Sequence, residues 1–306
     1  MHPHLPLPAA LPAPLVSIIA ICHNHARFLR ETLDSVLAQT YPHLEVWLVD
    51  SASTDGSPDI LRAYAAAHPK WRTLFFAENV GNCRAFNAAL RQCQGTYVLD
   101  LATDDVLLPE RVAQQVALFE TLPADYGVVY GNCELISEAG EALGHHHRPD
   151  GHGGLLPLPA SGWVFAEVLR RYFICSPSML QRRACLLALG GYDERLHYED
   201  FDFWVRASRD WRFQYQDAVL TCKRLHPRSH SAQVTVRHNP YLTSTLAVCA
   251  KALALCRTRA EYRALASRLR YELLHALRRR QWPEVRRALG LLVDVVGRVV
   301  GLRGQA

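Results

Sequence analysis

Residues 17–57 read SIIAICHNHARFLRETLDSVLAQTYPHLEVWLVDSASTDGS. Two apolar runs hold this stretch, VSIIAIC at 16–22 and LEVWLV at 44–49. Each is short and apolar without alternation, as a strand covered on both faces must be. Between them, residues 28–38 carry apolar side chains at 28, 29, 33, 36 and 37, the spacing of one helical face. The unit is strand–helix–strand, and it repeats outward. Helix signals at 58–67 and 82–92 alternate with strand signals at 73–77 and 96–101. A βαβαβαβ run predicts an α/β fold with a doubly wound, mostly parallel sheet and right-handed crossovers. Ligands of such sheets bind beyond the carboxyl ends of the strands, so the loops 22–27, 50–57 and 102–108 should converge on one site.

Further along, the pattern predicts a helix over 109–121 with Pro109 in its first turn, a strand over 127–136, and helices over 184–189 and 201–210. The stretch 140–159 is rich in Gly, His and Pro and reads as a long loop. From about Pro240 the pattern is all helical, at 241–256, 259–280 and 284–302. The expected organisation is a disordered leader over 1–14, a catalytic α/β domain over 15–239 and a C-terminal all-helical extension over 240–306. The leader is rich in Pro, Ala and Leu and lacks a positive n-region, so it does not read as a signal peptide.

The chain has 306 residues and a formal net charge of +5. From Tyr241 onward there are 13 Lys+Arg against 4 Asp+Glu, which leaves 21 against 25 in the rest. The last helix places Arg286, Arg287, Gly290, Asp294, Gly297, Arg298 and Gly301 on one narrow stripe, with Leu, Val and Ala elsewhere. That pattern suits packing into a core or an oligomer, or a helix lying on an anionic membrane surface. Arginines interleaved with Leu and Val at helical spacing do not describe a nucleic-acid site. No run of 18 uncharged apolar residues occurs, so no spanning helix is expected, and the protein reads as cytoplasmic, peripheral at the inner membrane face if the tail is interfacial. Nine cysteines, odd in number and without a CxxC pair, read as reduced buried thiols.

Two pairs of adjacent acids carry the candidate chemistry. Asp104-Asp105 follows an apolar strand directly, where carboxylates can hold a hard divalent cation. Glu199-Asp200 precedes a helix and can supply a carboxylate base. Each pair alone also fits helix capping. Their joint occurrence on this strand order favours chemistry. His145-His146-His147 with His152 reads as part of a loop over an acceptor site in preference to a metal centre.

The opening segment resembles glycosyltransferase family 2, whose fold is GT-A. The resemblance continues through ENVGNCRAFNAAL, LATDDVLLPERV and ICSPSMLQRRACLLALGGYDERLHYEDFDFWVRA, and covers roughly residues 15–232. It implies an inverting transfer of a sugar from a nucleotide diphosphate to a hydroxyl of a saccharide or lipid-linked acceptor, in surface polysaccharide or glycoconjugate synthesis. His23 and Asn24 would contact the nucleotide base, with His23 in place of the usual stacking aromatic. Asp50 and Ser51 stand at the paired-carboxylate position after the second strand. Ser51 replaces the acid that often binds a uracil imide, which leaves uridine, thymidine and guanosine donors open. Asn79, Gly81 and Arg84 match the stretch near the nucleotide, with Asn87 its last member.

Asp104 and Asp105 match the metal-binding acids of the family, with Ala102 where the first acid usually stands. Asp105 would be the direct ligand and Asp104 a ligand or ribose contact. His226 matches a histidine that reaches the metal or the diphosphate, so the metal set is Asp104, Asp105 and His226, holding Mn²⁺ or Mg²⁺. Asp200 matches the general base, with Glu199 orienting it or contacting the acceptor. A dinucleotide dehydrogenase is excluded, because the turn after the first strand, Cys22-His23-Asn24-His25, contains no glycine. A sugar nucleotidyltransferase would need a glycine- and arginine-rich first loop, also missing. The alternative is a catalytically degenerate relative that binds a sugar, a nucleotide or a partner.

Overall fold

The computed structural model describes residues 13–227, 229 and 240–301. Nearly all of the predicted leader and the last five residues of the extension lie outside them. The first half follows the predicted alternation: β1 (Val16–Cys22), α1 (Ala26–Leu37), β2 (Leu44–Ser51), α2 (Ser57–Ala67), β3 (Arg72–Phe76), α3 (Asn82–Leu90) and β4 (Tyr97–Ala102). Strands β3, β2, β1 and β4 lie side by side and parallel. Successive residues of β1 enter different cores. Ile18 and Ala20 pack with α1, α2 and α4 (Arg111–Thr121), while Ile19 and Ile21 pack with α3 and the later helices. Burial on both faces is why the strand reads as unbroken apolar sequence.

Past β4 the sheet becomes mixed. The antiparallel β10 (Leu180–Arg182) joins β4 to β6 (Tyr126–Ile136), and β11 (Arg212–Arg224) runs parallel to β6. The two-residue β5 (Val106–Leu107) closes that edge against β11. The stretch read as one long loop is corrected: β7 (Ala142–His145) pairs with β6, and β8 (Arg148–Pro149) pairs with β9 (Leu155–Leu156). Short helices α5 (Phe165–Arg170) and α6 (Arg183–Ala188) precede α7 (Asp200–Asp210). The expectation of unpaired thiols is corrected at one place. Cys133 on β6 is joined to Cys175, just before a 3₁₀ turn at Ser176–Ser178, and the other seven cysteines are free.

Three helices complete the chain: α8 (Pro240–Leu255), α9 (Arg259–Arg278) and α10 (Trp282–Gly301). A capping box starts α9, with Thr258 Oγ1 accepting from the Glu261 N–H while Glu261 accepts from the Thr258 N–H. Leu246, Cys249, Leu265, Leu269 and Ala288 of these helices belong to the same apolar cluster as Phe86 and Phe203. α8 also grips the segment ahead of α7. Lys251 Nζ pairs with Asp193 at 2.6 Å and with Asp202, Ser244 Oγ accepts from the His197 N–H, and Thr245 Oγ1 lies 2.6 Å from the Tyr198 hydroxyl. The helix α10 answers both readings of its pattern. Val285, Ala288 and Val295 are buried, while Leu289, Val293, Val296 and Val300 stand exposed. No helix among the described residues is long and apolar enough to cross a membrane.

Candidate active site

The loops after β1, β2 and β4 converge as predicted, around a cavity of about 520 Å³. His23 and His25 come from the first loop, Ser51 from the end of β2, and Ala102, Asp104 and Asp105 from the end of β4. Asn79, Gly81 and Asn82, at the start of α3, complete that side. Across the cavity stand Ser176, Tyr198, Glu199, Asp200, Lys223 and Arg224, with Tyr241 and Thr245 of α8.

His23, Ser51 and Asn79 form one fixed network. Asn79 Oδ1 accepts from Ser51 Oγ at 3.1 Å and from the Gly81 N–H at 3.0 Å, so the Asn79 amide nitrogen points at His23 Nε2, 3.1 Å away. An amide nitrogen only donates, so Nε2 accepts. His23 Nδ1 lies 2.8 Å from the Ser51 carbonyl, which only accepts, so Nδ1 carries the proton. The ring is therefore held in one orientation. Asn24, expected to touch the nucleotide, does not line the cavity. Its backbone is left-handed (φ 59°), and its Oδ1 accepts from the Thr54 N–H at 2.7 Å, which ties the first loop to the second.

Asp104 and Asp105 are both buried. Asp104 Oδ2 lies 2.9 Å from His226 Nε2, and its Oδ1 lies 4.0 Å from His25 Nδ1. Burial alone would raise the Asp104 carboxyl; the His226 hydrogen bond and the nearby His25 outweigh it, and the net shift is downward. Asp105 is pushed up to about 8, by burial first and by the Asp104 charge second. Its Oδ1 accepts from the Arg224 N–H at 2.9 Å, and Arg224 Nε donates to the Asp104 carbonyl at 3.0 Å. Behind this pair, the buried Arg111 donates to Thr221 Oγ1 and to the Met179 carbonyl, and its charge opposes the upward shift of Asp105.

The ligand atoms of His25, Asp104 and His226 all lie within 4.8 Å of one another, close enough to hold one metal ion. Asp105, expected as the direct ligand, lies outside it because its carboxylate is turned to the Arg224 amide. His25 takes its place and was not singled out from the sequence; its signal was the His-x-His spacing directly after β1. Two imidazoles and one carboxylate suit a transition divalent cation better than Mg²⁺, which prefers an all-oxygen shell. The Thr103 hydroxyl, 3.0 Å from His25 Nδ1 and 3.0 Å from the Ile21 carbonyl, orients the His25 ring.

Glu199 and Asp200 stand at the start of α7 on the facing wall. Asp200 is raised to about 7 by burial and then by Glu199, while Lys223 opposes the rise. Glu199 is raised by burial, with Asn82 opposing. Three other expected residues stand back from the cavity. Asp50 is buried; its Oδ2 accepts from the Ser53 N–H, and its Oδ1 has no hydrogen-bond partner among the described residues. Arg84 is exposed on α3 and lines no part of the cavity. Asn87 is structural: its amide donates to the Tyr192 carbonyl and accepts from the Tyr192 N–H. Gly191 is required beside it, because φ is +79° and a Cβ would lie 2.3 Å from Asn87 Oδ1. In the histidine run, His147 Nδ1 is hydrogen-bonded to the Pro157 carbonyl, and only His146 lines the cavity.

Residues 17–185, just over half of the chain, match the model of glycosyl transferase family 2, and the chain belongs to that family. An uncharacterized glycosyltransferase of Rickettsia felis is 29% identical over 233 residues, 76% of this chain and 37% of that protein. The chain thus spans little more than a third of that relative. The putative teichuronic acid biosynthesis glycosyltransferase TuaG of Bacillus subtilis is 38% identical over 103 residues, 34% of this chain and 41% of TuaG. Among solved structures, S. aureus TarS 1–349 in complex with UDP-GlcNAc superposes with a TM-score of 0.70 at 19% identity, over 92% of this chain and 81% of that one. The mannosyltransferase PcManGT from Pyrobaculum calidifontis, in complex with GDP-Man and Mn²⁺, gives 0.58 at 20% identity, over 97% and 91%. The fold is GT-A, with the helical extension included in the matched length.

If His25 completes the metal group, His25→Ala will weaken Mn²⁺ binding, measured by calorimetry, by about tenfold or more. Unchanged affinity would remove His25 from the ligand set.

Proposed function

We propose that this chain is an inverting, metal-dependent glycosyltransferase that moves a sugar from a nucleotide diphosphate to a hydroxyl of a saccharide or lipid-linked acceptor. The observation that carries the reading is one cavity with His25 and Asp104 on one wall, His226 bonded to Asp104 behind them, and Asp200, raised to about 7, on the other wall. A carboxylate base works best when its pKa lies near the working pH. The oriented His23 ring and the Asn79 amide offer a flat surface and fixed polar groups for the nucleotide.

A divalent cation, Mn²⁺ in preference to Mg²⁺, would be held by His25, Asp104 and His226 and would neutralise a leaving diphosphate. The chain's own groups do the rest. Arg224 fixes Asp104 and Asp105 through the backbone, which keeps the acids in place without a solvent shell. Lys223 faces the same cavity and offers positive charge to the phosphates. Asp200 removes the proton of the acceptor hydroxyl as that oxygen attacks the anomeric carbon, and Glu199 beside it raises its basicity. One displacement from the face opposite the leaving group inverts the anomeric centre. The UDP-GlcNAc complex of TarS and the GDP-Man and Mn²⁺ complex of PcManGT support a nucleotide-sugar donor and a metal. The name of TuaG supports a place in polysaccharide synthesis.

The catalytic unit runs over 15–239, and the helices after it serve as both wall and anchor. The exposed Leu289, Val293, Val296 and Val300 recur at spacings of four and three residues, one apolar stripe along α10. Arg286, Arg287 and Arg298 on the same helix supply the charge for an anionic membrane at the cytoplasmic face. Replacing Leu289, Val293 and Val296 by Ser should abolish cosedimentation with phosphatidylglycerol vesicles while leaving the melting temperature nearly unchanged. Undiminished binding would remove α10 as the anchor.

Asp200→Asn is expected to lower turnover by about a thousandfold or more while nucleotide affinity stays within about threefold. In the wild type, the base is active only when deprotonated. kcat/KM should therefore rise with pH through about 7 and fall below it. Normal turnover of the variant, or a flat acid limb, would exclude Asp200 as the base.

A further inference from the structure

A smaller recess of about 80 Å³ adjoins the main cavity beside Glu199 and Asp200. Its further walls are Asp100, Met179 and Gln181, none of which lines the larger cavity. Asp100 lies on β4, opposite Ile19 of β1. Four carboxylates border the recess, Asp100, Asp105, Glu199 and Asp200, and no lysine or arginine does.

Gln181 adds an independent observation. It is 1% exposed, and its amide nitrogen donates to the Tyr192 hydroxyl at 3.1 Å. Its Oε1 is buried without a hydrogen-bond partner. A buried carbonyl oxygen without a donor costs stability, so this position asks for a ligand that donates. Asn82 and Ser176 are the polar side chains at the recess that can donate, against four carboxylates and one amide oxygen that accept. A metal ion is not what this arrangement suits. Among the described residues, the one group whose ligand atoms converge within 4.8 Å is His25–Asp104–His226, so the recess acids surround a space and do not close on a point.

We propose that this recess selects the transferred sugar: it receives the hydroxyl- or amine-bearing edge of a neutral or amino sugar and rejects a uronic acid. The inference rests on the transferase reading, which places the sugar between the Asp104 group and Asp200. Each sugar hydroxyl or amine brings a donor to Gln181 Oε1 and to Asp100. A sugar carboxylate would bring a negative charge and no donor into a recess bordered by four carboxyl groups and no cation, and like charges brought together across an interface are disfavoured. The Asp100 carboxyl is itself held well above its usual range, by burial and by the Glu199 charge. Asp100 and Gln181 are therefore specificity-determining residues.

The test is calorimetry on the full chain with Mn²⁺, first with UDP, dTDP and GDP alone. With the base that binds, a hexose donor is compared with its uronate, as UDP-glucose with UDP-glucuronate, dTDP-glucose with dTDP-glucuronate, or GDP-mannose with GDP-mannuronate. The wild type is expected to bind the hexose form about a hundredfold more tightly. Asp100→Asn should narrow that ratio to within about tenfold. Gln181→Leu should weaken the hexose donor without helping the uronate. The wild-type ratio stands as a test even if a variant fails to fold. Equal or tighter binding of the uronate by the wild type would overturn the recess proposal while leaving the transferase reading intact. Failure of every nucleoside diphosphate to bind would overturn the transferase reading and, with it, this one.

Discussion

Asp104 and Asp105 are neighbours in the chain, both acidic and both almost fully withdrawn from water, at 7% and 3% exposure. Burying one carboxylate without a partner is expensive, and burying two side by side adds their repulsion. Much of the later chain compensates for this. Arg111 at the start of α4 is buried behind them, Arg224 at the end of β11 donates its amide to one and its guanidinium to the backbone of the other, and His226 closes on Asp104. Thr32 of α1 fixes the same loop by donating to the Asp105 carbonyl at 2.7 Å. The two acids are thus held in a fixed arrangement by Thr32, Arg224 and His226, from distant parts of the chain.

The first four strands and three helices were legible because each obeys a single period. The far half was harder to read for physical reasons. β10 has three residues, too few to show alternation. β11 is thirteen residues long, but its register slips at Arg212/Phe213, Tyr215/Val219 and Val219/Thr221, which scrambles the two-residue period. That strand carries Lys223 and Arg224 to the site, so Arg224, its main latch, was unforeseen. Of the residues the motifs singled out, His23, Ser51, Asn79, Asp104, Glu199 and Asp200 line one cavity, and His226 is hydrogen-bonded to Asp104. Asn24 and Asn87 turned out to hold backbone, and Arg84 faces solvent. A motif marks which residues a loop needs, and does not separate those that touch a ligand from those that shape the loop. Asp105 illustrates the same limit: its carboxylate is held by the backbone amide of Arg224, 119 residues further along the chain, a partner that no local motif announces.

The C-terminal helices resolve into a wall and an outward face. Lys251, Ser244 and Thr245 of α8 hold the segment from Asp193 to Asp202, at whose centre Glu199 and Asp200 sit. Tyr241 and Thr245 line the cavity itself. The position of Asp200 thus depends on residues outside the segment matched by the family model, which ends at residue 185. α10 packs one side into this assembly and leaves its valine stripe outward, so a single amphipathic pattern serves core and surface together.

The account is tested most directly by thermal shift of the intact protein with UDP, dTDP, GDP and CMP, each with and without Mn²⁺. A ligand that binds only the native state raises its melting temperature. The account predicts a rise with one nucleoside diphosphate that depends on Mn²⁺ and is lost in Asp104→Ala. A well-folded sample that shifts with none of them, or that shifts equally without metal, would contradict a metal-assisted nucleotide-sugar site.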